Sequence, residues 1–383
     1  MGQTIAEKIF SKNINTEVYA GDEYIFTPDV IVAYDYPGYV DVFHKQMIDL
    51  GVDKVDHPER VVLVIDHFNP AGSAAEAAVH PITREFGKKF GYRVVEGKGI
   101  GHQVLTEMGY VAPGKLAVHF DGHISTWGAL GALPLGISRA MTETFATQSI
   151  SYVVPPTYRI NIEGQLPKGV TARDAFNTIL QRIGPCGANS CIVEYGGPGL
   201  HSLNMDERFT LCNLVMFIGG SSAIMEQDEV TIEYLNKYKV NWEETYAPDM
   251  DAVYEGSLTL DLNSVEPLLV APPSPANSVS INDFIGRPIQ AAYLGSCASG
   301  RLTDFKQMLE ILEGKHVAEG FRLHAVPTSA EIQAQLAEQG IMQKLIRAGV
   351  MMESPSCDFC YGKLGVITEG ETALSTGTLN VPG

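Results

Sequence analysis

The chain of 383 residues is 45% hydrophobic and 19% charged, the balance of a folded globule, which excludes disorder and collagen-like repeats. At roughly 100–200 residues per domain, its length implies two or three domains. Lys and Arg number 27 against 45 Asp and Glu, for a formal charge of −18. Such a surface repels phosphate backbones and counts against nucleic acid as a main partner, while leaving an anionic small substrate open.

The opening Met1-Gly2-Gln3-Thr4-Ile5-Ala6-Glu7-Lys8 has no secretory pattern and leads into an amphipathic helix. Val61-Val62-Leu63-Val64-Ile65 reads as a strand covered on both faces; it ends at Asp66-His67, and a helix follows over about 74–89. A strand over 115–120 ends in Asp121-Gly122-His123, before the glycine-studded Gly128-Ala129-Leu130-Gly131-Ala132. Pro155-Pro156 marks a boundary, and a strand over 158–163 follows it. The longest apolar stretch, 211–225, is too short for a bilayer and carries Asn213, Ser221 and Ser222, so it reads as buried core and no membrane partner is expected. Pro267, Pro272, Pro273 and Pro275 mark a linker over about 264–283 that can hold neither helix nor central strand. Beyond it come a strand over 288–294, a helix over 304–312, a strand over 321–326 and one long helix over about 330–348. The alternation predicts an α/β protein, divided as 1–154, 155–270 and 271–383.

A chain with so large a core needs no disulfide staples. The six cysteines therefore point to a reducing, cytoplasmic setting, and clustered ones to metal or redox chemistry. Cys186, Cys191 and Cys212 lie among apolar or small residues and read as core. Cys297 stands where a strand gives way to a helix, and Cys357 and Cys360 share a C-x-x-C turn. Three thiolates suit an iron–sulfur cubane with one iron open; on spacing alone, half a zinc site, a redox pair or unrelated buried cysteines fit as well. Asp66-His67, His102-Gln103 and Asp121 with His123 each follow a strand-like or glycine-rich segment. Carboxyl ends of strands gather ligands in open α/β sheets, so these pairs predict a shared polar cleft.

Many separated motifs carry a family resemblance. They include Thr4-Ile5-Ala6-Glu7-Lys8-Ile9, Asp66-His67-Phe68, Gly99-Ile100-Gly101-His102-Gln103-Val104, Asp121-x-His123 and Gly128-Ala129-Leu130-Gly131-Ala132. Asn204-Met205-Asp206-x-Arg208-x-Thr210-x-Cys212-Asn213, Asp228-x-x-Thr231, Gly295-Ser296-Cys297-x-x-Gly300-Arg301 and Ser356-Cys357-x-x-Cys360-x-Gly362 complete the series. In this order they resemble large subunits of the 3-isopropylmalate dehydratase and homoaconitase branch of the aconitase superfamily. The resemblance implies three α/β/α domains around a [4Fe-4S] cluster held by Cys297, Cys357 and Cys360, with one iron not ligated by cysteine. It implies reversible dehydration of a small hydroxy acid. His67, oriented by Asp66, would protonate the leaving hydroxyl, while His102, Asp121 and His123 would wall the reacting oxygen. Gln103, Asn213, Phe217, Ser299, Arg301 and Leu379 occupy the positions expected to meet substrate. The family's proton-abstracting serine lies on a swivelling domain, in a Gly-Ser-Ser-Arg motif. Gly219-Gly220-Ser221-Ser222-Ala223 echoes that motif without the arginine, so a small partner subunit carrying it is expected.

The departures fall within the site. The family's Asp-Ser-His-Thr reads Asp121-Gly122-His123-Ile124, its Asn-x-x-x-Glu reads Asn213 to Phe217, and its Ser-Cys-Thr-Asn-Gly-Arg reads Ser296-Cys297-Ala298-Ser299-Gly300-Arg301. Leu379 stands where a carboxylate-binding arginine is expected. Three readings follow: a hydro-lyase with altered specificity, a 3-isopropylmalate dehydratase with compensating residues elsewhere, or a cluster-bearing scaffold without turnover. Retention of Asp66, His67, His102, Asp121 and His123 favours catalysis.

Overall fold

A computed structural model describes residues 2–35, 40–137 and 140–378, with Tyr361 described by its backbone alone. Among the described residues, three parallel sheets carry the architecture. The first orders its strands Arg93–Glu96, Val61–Ile65, Val30–Tyr34, Leu116–His119 and Leu133–Gly136. Its central strand, Val30–Tyr34, is a buried β-branched run of the kind that both faces of a covered sheet select. Val32 pairs with Val62 on one side and with His119 on the other. This register brings the residues that follow these strands, Asp35, Asp66 and Asp121, to one carboxyl edge.

The second sheet runs Ser222–Met225, Ile192–Gly196, Thr157–Glu163 and Gly256–Asp261. The third runs Met351–Met352, Arg322–Ala325, Ala291–Leu294 and Ala373–Ser375. Val62, Val64 and Trp127 belong to one apolar core with Ile160, Tyr195 and Phe209, so the first two sheets are welded together. The third sheet packs its own cluster around Phe305, Leu336 and Leu345. At Gly128 a Cβ would collide with the Ala223 carbonyl, so the 3-10 segment Gly122–Leu130 lies flush on the strand Ser222–Met225.

Four expectations need correction. The helix over 74–89 is two helices, Ala74–Ala77 and Val79–Phe90, because Pro81 has no N–H to offer the Ala77 carbonyl one turn back. The helix over 330–348 is likewise two, Ala330–Glu338 and Ile341–Arg347, separated at Gly340 with φ 68°. The proline-rich linker contains an antiparallel ribbon, Leu268–Val270 with Ser278–Ser280, whose loop takes up Pro272, Pro273 and Pro275. Of the three cysteines read as core, Cys191 and Cys212 are buried, but Cys186 is exposed. The apolar stretch 211–225 is a helix end, a 3-10 turn and the strand Ser222–Met225, and no described helix is long and apolar enough to cross a membrane.

Two of the motifs are scaffolding for the site. Arg208, fully buried, forks onto Asp228 at 2.7 and 2.6 Å and also donates to the Leu200 and Leu203 carbonyls. The fork ties the helix Met205–Asn213 to the helix Glu229–Lys237. Asn204, with Glu207, caps the first of these in a reciprocal box. The far end of that helix delivers Asn213.

Candidate active site

At the carboxyl edge of the first sheet, Asp66 is fully buried. Its Oδ2 accepts from the Gly101 N–H at 2.8 Å, and its Oδ1 lies 2.8 Å from His67 Nδ1. A second carboxylate stands beside them. Asp35 accepts from the backbone N–H groups of Asp66 and His67 at 3.2 Å each and lies 3.4 Å from His67 Nδ1. Burial alone would make the His67 ring a weaker base, but the two carboxylates outweigh it and raise its pKa to about 10. His67 is therefore a buried imidazolium at neutral pH. Oxygen and nitrogen atoms of Asp35, Asp66 and His67 lie within 4.8 Å of one another, and they are engaged with each other as an ion pair.

Asp121 organises the neighbouring group. His123 Nδ1 is 3.1 Å from its Oδ1, His102 Nε2 is 3.6 Å from its Oδ2, and the Tyr34 hydroxyl donates to Oδ2 at 2.8 Å. Burial opposes ionisation of this carboxyl, yet the rings of His123, His102 and His119 hold it well below the usual range. His119 accepts the Asp121 N–H on Nδ1, and burial presses its own pKa down to about 3, which keeps it a neutral acceptor. Burial lowers His102, while the Asp121 charge overcomes burial at His123 and raises it. Tyr34 joins the two groups: its ring centroid is 4.9 Å from that of His67 and 4.7 Å from that of His119. Tyr34, Asp35 and His119 escaped the motif reading. Their signal is the apolar run 30–33, a strand whose polar end equals those at Asp66 and Asp121.

The third sheet supplies the cysteines. The Cys357 N–H donates to the Asp66 carbonyl at 2.7 Å, and the Asp358 carboxylate accepts from Phe68 and Asn69 N–H at 2.7 and 3.1 Å. The C-x-x-C turn is thereby clasped onto the strand end that carries His67. Cys357 is within hydrogen-bonding reach of Cys360, and Cys297 is near enough to couple electrostatically with both. Asn213 Nδ2 donates to Cys297 Sγ at 3.2 Å, and Thr378 Oγ1 is 3.5 Å from Cys360 Sγ. Ser299 Oγ is bound to the Gly295 carbonyl at 2.5 Å and to Thr376 Oγ1 at 2.6 Å. Arg301 is fully buried, with Nε on Gln103 Oε1 at 2.8 Å and Nη2 on the Cys297 carbonyl at 2.7 Å. Gln103 and Arg301 thus brace the Cys297 turn. Half-buried Phe217 lines a narrow crevice of only about 10 Å³ with Arg173, Phe176, Leu214, Val270 and Thr378. Leu379 lies outside the described residues. Ser221 and Ser222 are bonded to the carbonyls of Cys191 and Pro134.

The donor set fits an iron–sulfur cluster. Burial and the neighbouring Cys360 push the Cys297 thiol up; the hydrogen bond to Cys360 and burial push Cys357 up. That same hydrogen bond brings Cys360 down to about 6. Three thiols so close do not ionise together unaided, and a bound cationic iron centre would supply the charge that draws off the remaining protons. Asn213 and Thr378 offer the polar contacts to sulfur that tune such centres. Both ring nitrogens of His102, Nε2 of His123 and Oδ1 of Asn213 are buried with no hydrogen-bond partner among the described residues. Buried polar groups are nearly always satisfied in folded proteins, so a concentration of orphans marks where a ligand belongs.

The model of the aconitase family (aconitate hydratase) matches residues 7–383. The chain is 38% identical to 3-isopropylmalate dehydratase large subunit 1 of Methanopyrus kandleri, over 100% of this chain and 92% of that protein. It is 35% identical to a probable 3-isopropylmalate dehydratase large subunit of Methanosarcina mazei, over 99% and 92%. Its identity to the 3-isopropylmalate dehydratase large subunit of Aquifex aeolicus is 34%, over 100% and 90%. Among solved structures, Thermococcus kodakaraensis aconitase X in its holo form matches with a TM-score of 0.52 over 94% of this chain and 89% of that one; at 13% identity this speaks to fold alone. With motif, fold and full-length similarity agreeing, the chain belongs to the aconitase family, and so to its hydro-lyases.

Proposed function

We propose that this chain is the large subunit of a two-subunit [4Fe-4S] hydro-lyase that removes and re-adds water on a malate skeleton bearing an apolar substituent, with 3-isopropylmalate as the first candidate. The observation that carries the reading is His67. Its Nδ1 lies 2.8 Å from Asp66 and 3.4 Å from Asp35, and the strand end behind it is hydrogen-bonded to the cysteine turn. Cys297, Cys357 and Cys360 would hold the cluster, which when bound supplies Lewis acidity to the carbon–oxygen bond that breaks. His67 keeps a proton ready for the leaving hydroxyl, and its two carboxylates hold the ring in one orientation. Asp121, ionised and shared by His123, His102 and Tyr34, fixes a wall of hydrogen-bonding groups around the departing oxygen. The base for the carbon-bound proton is assigned to a small partner with a Gly-Ser-Ser-Arg motif; the relatives' names, large subunits all three, support such a partner. The preference for an alkyl substituent over a third carboxylate is inferred from Phe217, which stands where the family's pattern carries a glutamate.

The test is anaerobic purification with the small subunit, followed by alkene absorbance on 3-isopropylmalate, shorter alkylmalates and citrate. Turnover of alkylmalates by the complex, with weak or no turnover of citrate and little by the chain alone, is expected. An iron-loaded complex that dehydrates none of the alkylmalates would falsify the reading.

A further inference from the structure

Glu107 is a carboxylate near the cysteines that takes no part in the proposed proton transfers. It closes the helix Gly101–Glu107, whose first N–H is the one bonded to Asp66. Its Oε1 accepts from Gln103 Nε2 at 2.9 Å and from Ser329 Oγ at 2.8 Å. The polarity of both bonds is fixed. Ser329 Oγ accepts from the Ile332 N–H at 3.1 Å, at the start of the helix Ala330–Glu338, so its own proton goes to Glu107. A guanidinium can only donate, so Gln103 turns its amide oxygen to Arg301 Nε, at 2.8 Å, and its nitrogen to Glu107. Arg301 Nη2 then reaches the Cys297 carbonyl at 2.7 Å. The other contact of the Gln103 nitrogen is the Tyr234 hydroxyl at 3.3 Å, just beyond the usual N–H···O range. Gln103 and Arg301 are both buried, so bulk water offers neither of them a substitute partner.

We infer that Glu107 is a positioning residue for Cys297. It holds the Gln103 amide in the one orientation that Arg301 can use, and Arg301 in turn fixes the carbonyl of the cysteine turn. The relay crosses from the helix Gly101–Glu107 to the loop that follows the strand Ala291–Leu294 of the third sheet. Without Glu107 the Gln103 nitrogen keeps only the long Tyr234 contact, the amide is free to swing, and Arg301 loses a fixed acceptor. Metal ligands are oriented by the groups behind them, and loss of one such group typically costs about 10–100-fold in metal affinity or activity. The inference rests on the proposed cluster and adds to it a residue that acts through two others.

The competing role is a staple, in which Glu107 only ties its own helix to the helix Ala330–Glu338 through Ser329. The experiment uses the full chain with its cluster reconstituted anaerobically. The rate of iron release to EDTA in air is followed by the loss of visible absorbance and by iron analysis, and the melting temperature is taken on the same samples. Glu107→Met should speed iron release about 10-fold, and Gln103→Met by a similar factor. Because Glu107 acts through Gln103, the double variant should release iron no faster than Gln103→Met alone. Glu107→Gln keeps the acceptor oxygen and should stay within about twofold of the unaltered protein, the scatter expected of an uncoupled site. Ser329→Ala removes the staple and should lower the melting temperature without changing iron release. Unchanged release from Glu107→Met overturns the inference. So does a double variant whose acceleration is the product of the two single ones, or a Glu107→Gln or Ser329→Ala protein that loses iron as fast as Glu107→Met. If Glu107→Met does not fold, Glu107→Asp takes its place in the cycle, since its shorter arm draws the oxygen away from Gln103. Turnover of 3-isopropylmalate by the two-subunit complex, with iron release indifferent to Glu107, sinks this inference alone. Glu107-dependent iron release without turnover of any alkylmalate sinks the functional reading alone, and a chain that takes up no iron sinks both.

Discussion

The molecule holds two clusters of charge, one at the carboxyl ends of the first sheet's strands and one within the strands of the second sheet, and they are built on opposite principles. In the second sheet, Arg159 donates to Glu194 at 2.7 Å, to Glu226 at 2.5 Å and to Asn161 at 2.9 Å. Glu194 also accepts from the Tyr254 hydroxyl at 2.6 Å and from the Ile5 N–H at 2.8 Å. A Cβ at Gly196 would strike both Arg159 and Glu226, so the backbone itself makes room for the pair. No polar atom of this cluster is buried without a partner. In the first sheet, His102, His123 and Asn213 keep buried atoms unbonded beside the cysteines. A closed cluster joins elements, here the N-terminal helix Ile5–Ile14 to the second sheet. An open one has bonds left for a ligand, and burial makes each of those bonds costly to leave unmade.

The comparison breaks most severely if the open cluster proves indifferent to metal. Cys357→Ser should abolish activity and strip iron from anaerobically purified protein; stoichiometric zinc with no iron in the unaltered protein would contradict the cluster assignment. His67→Gln should cost about 10²–10⁴-fold in kcat with the fold intact, the usual worth of a positioned proton donor. Its pH signature has a definite sign. A donor must be protonated, so activity should fall as pH rises through the His67 value of about 10, and Asp35→Asn, removing one of the two supporting charges, should move that fall to lower pH. A basic limb unmoved by Asp35→Asn would detach it from His67.

The closed cluster should answer in stability instead. Arg159→Met leaves Glu194 buried without its cation and should cost about 3–5 kcal/mol in chemical denaturation, with substrate KM unchanged in the protein that remains folded. A changed KM at unchanged stability would reverse the assignment of roles. The smallest effect concerns Glu107, which accepts from Gln103 at 2.9 Å and from Ser329 at 2.8 Å behind the cysteine turn. Burial raises its pKa to about 7. The unfolded chain gives up this proton near the ordinary carboxyl value and the folded chain only near 7. Stability is therefore full at low pH and falls as pH rises between those values. Glu107→Gln keeps an acceptor oxygen and should remove that fall, gaining about 1–3 kcal/mol at pH 8 and little at pH 4. Equal gains at both pH values would show that titration is not the cause.

How much of this was legible follows from range. Asp66-His67 and Asp121 with His123 could be read locally, because a covered strand is a continuous apolar run and the first polar pair after it lands at the sheet edge. Tyr34 and Asp35 end the same kind of run at the centre of the sheet and could have been read the same way. Motifs nominate Arg301 and Gln103 as substrate contacts, and the structure adds a hydrogen bond between them across 198 positions, beside Cys297.

The amino-acid sequence by itself determined the alternating elements, the three candidate cysteines and the polar strand ends, since periodicity, turn chemistry and capping act over a few residues. It determined the family too, through motifs in fixed order. Only the tertiary structure decided which charges are paired and which are left open. The protonation of His67 and the ionisation of Asp121 depend on desolvation and on partners from distant segments. Those are properties of a packed interior, and no local stretch of chain contains them.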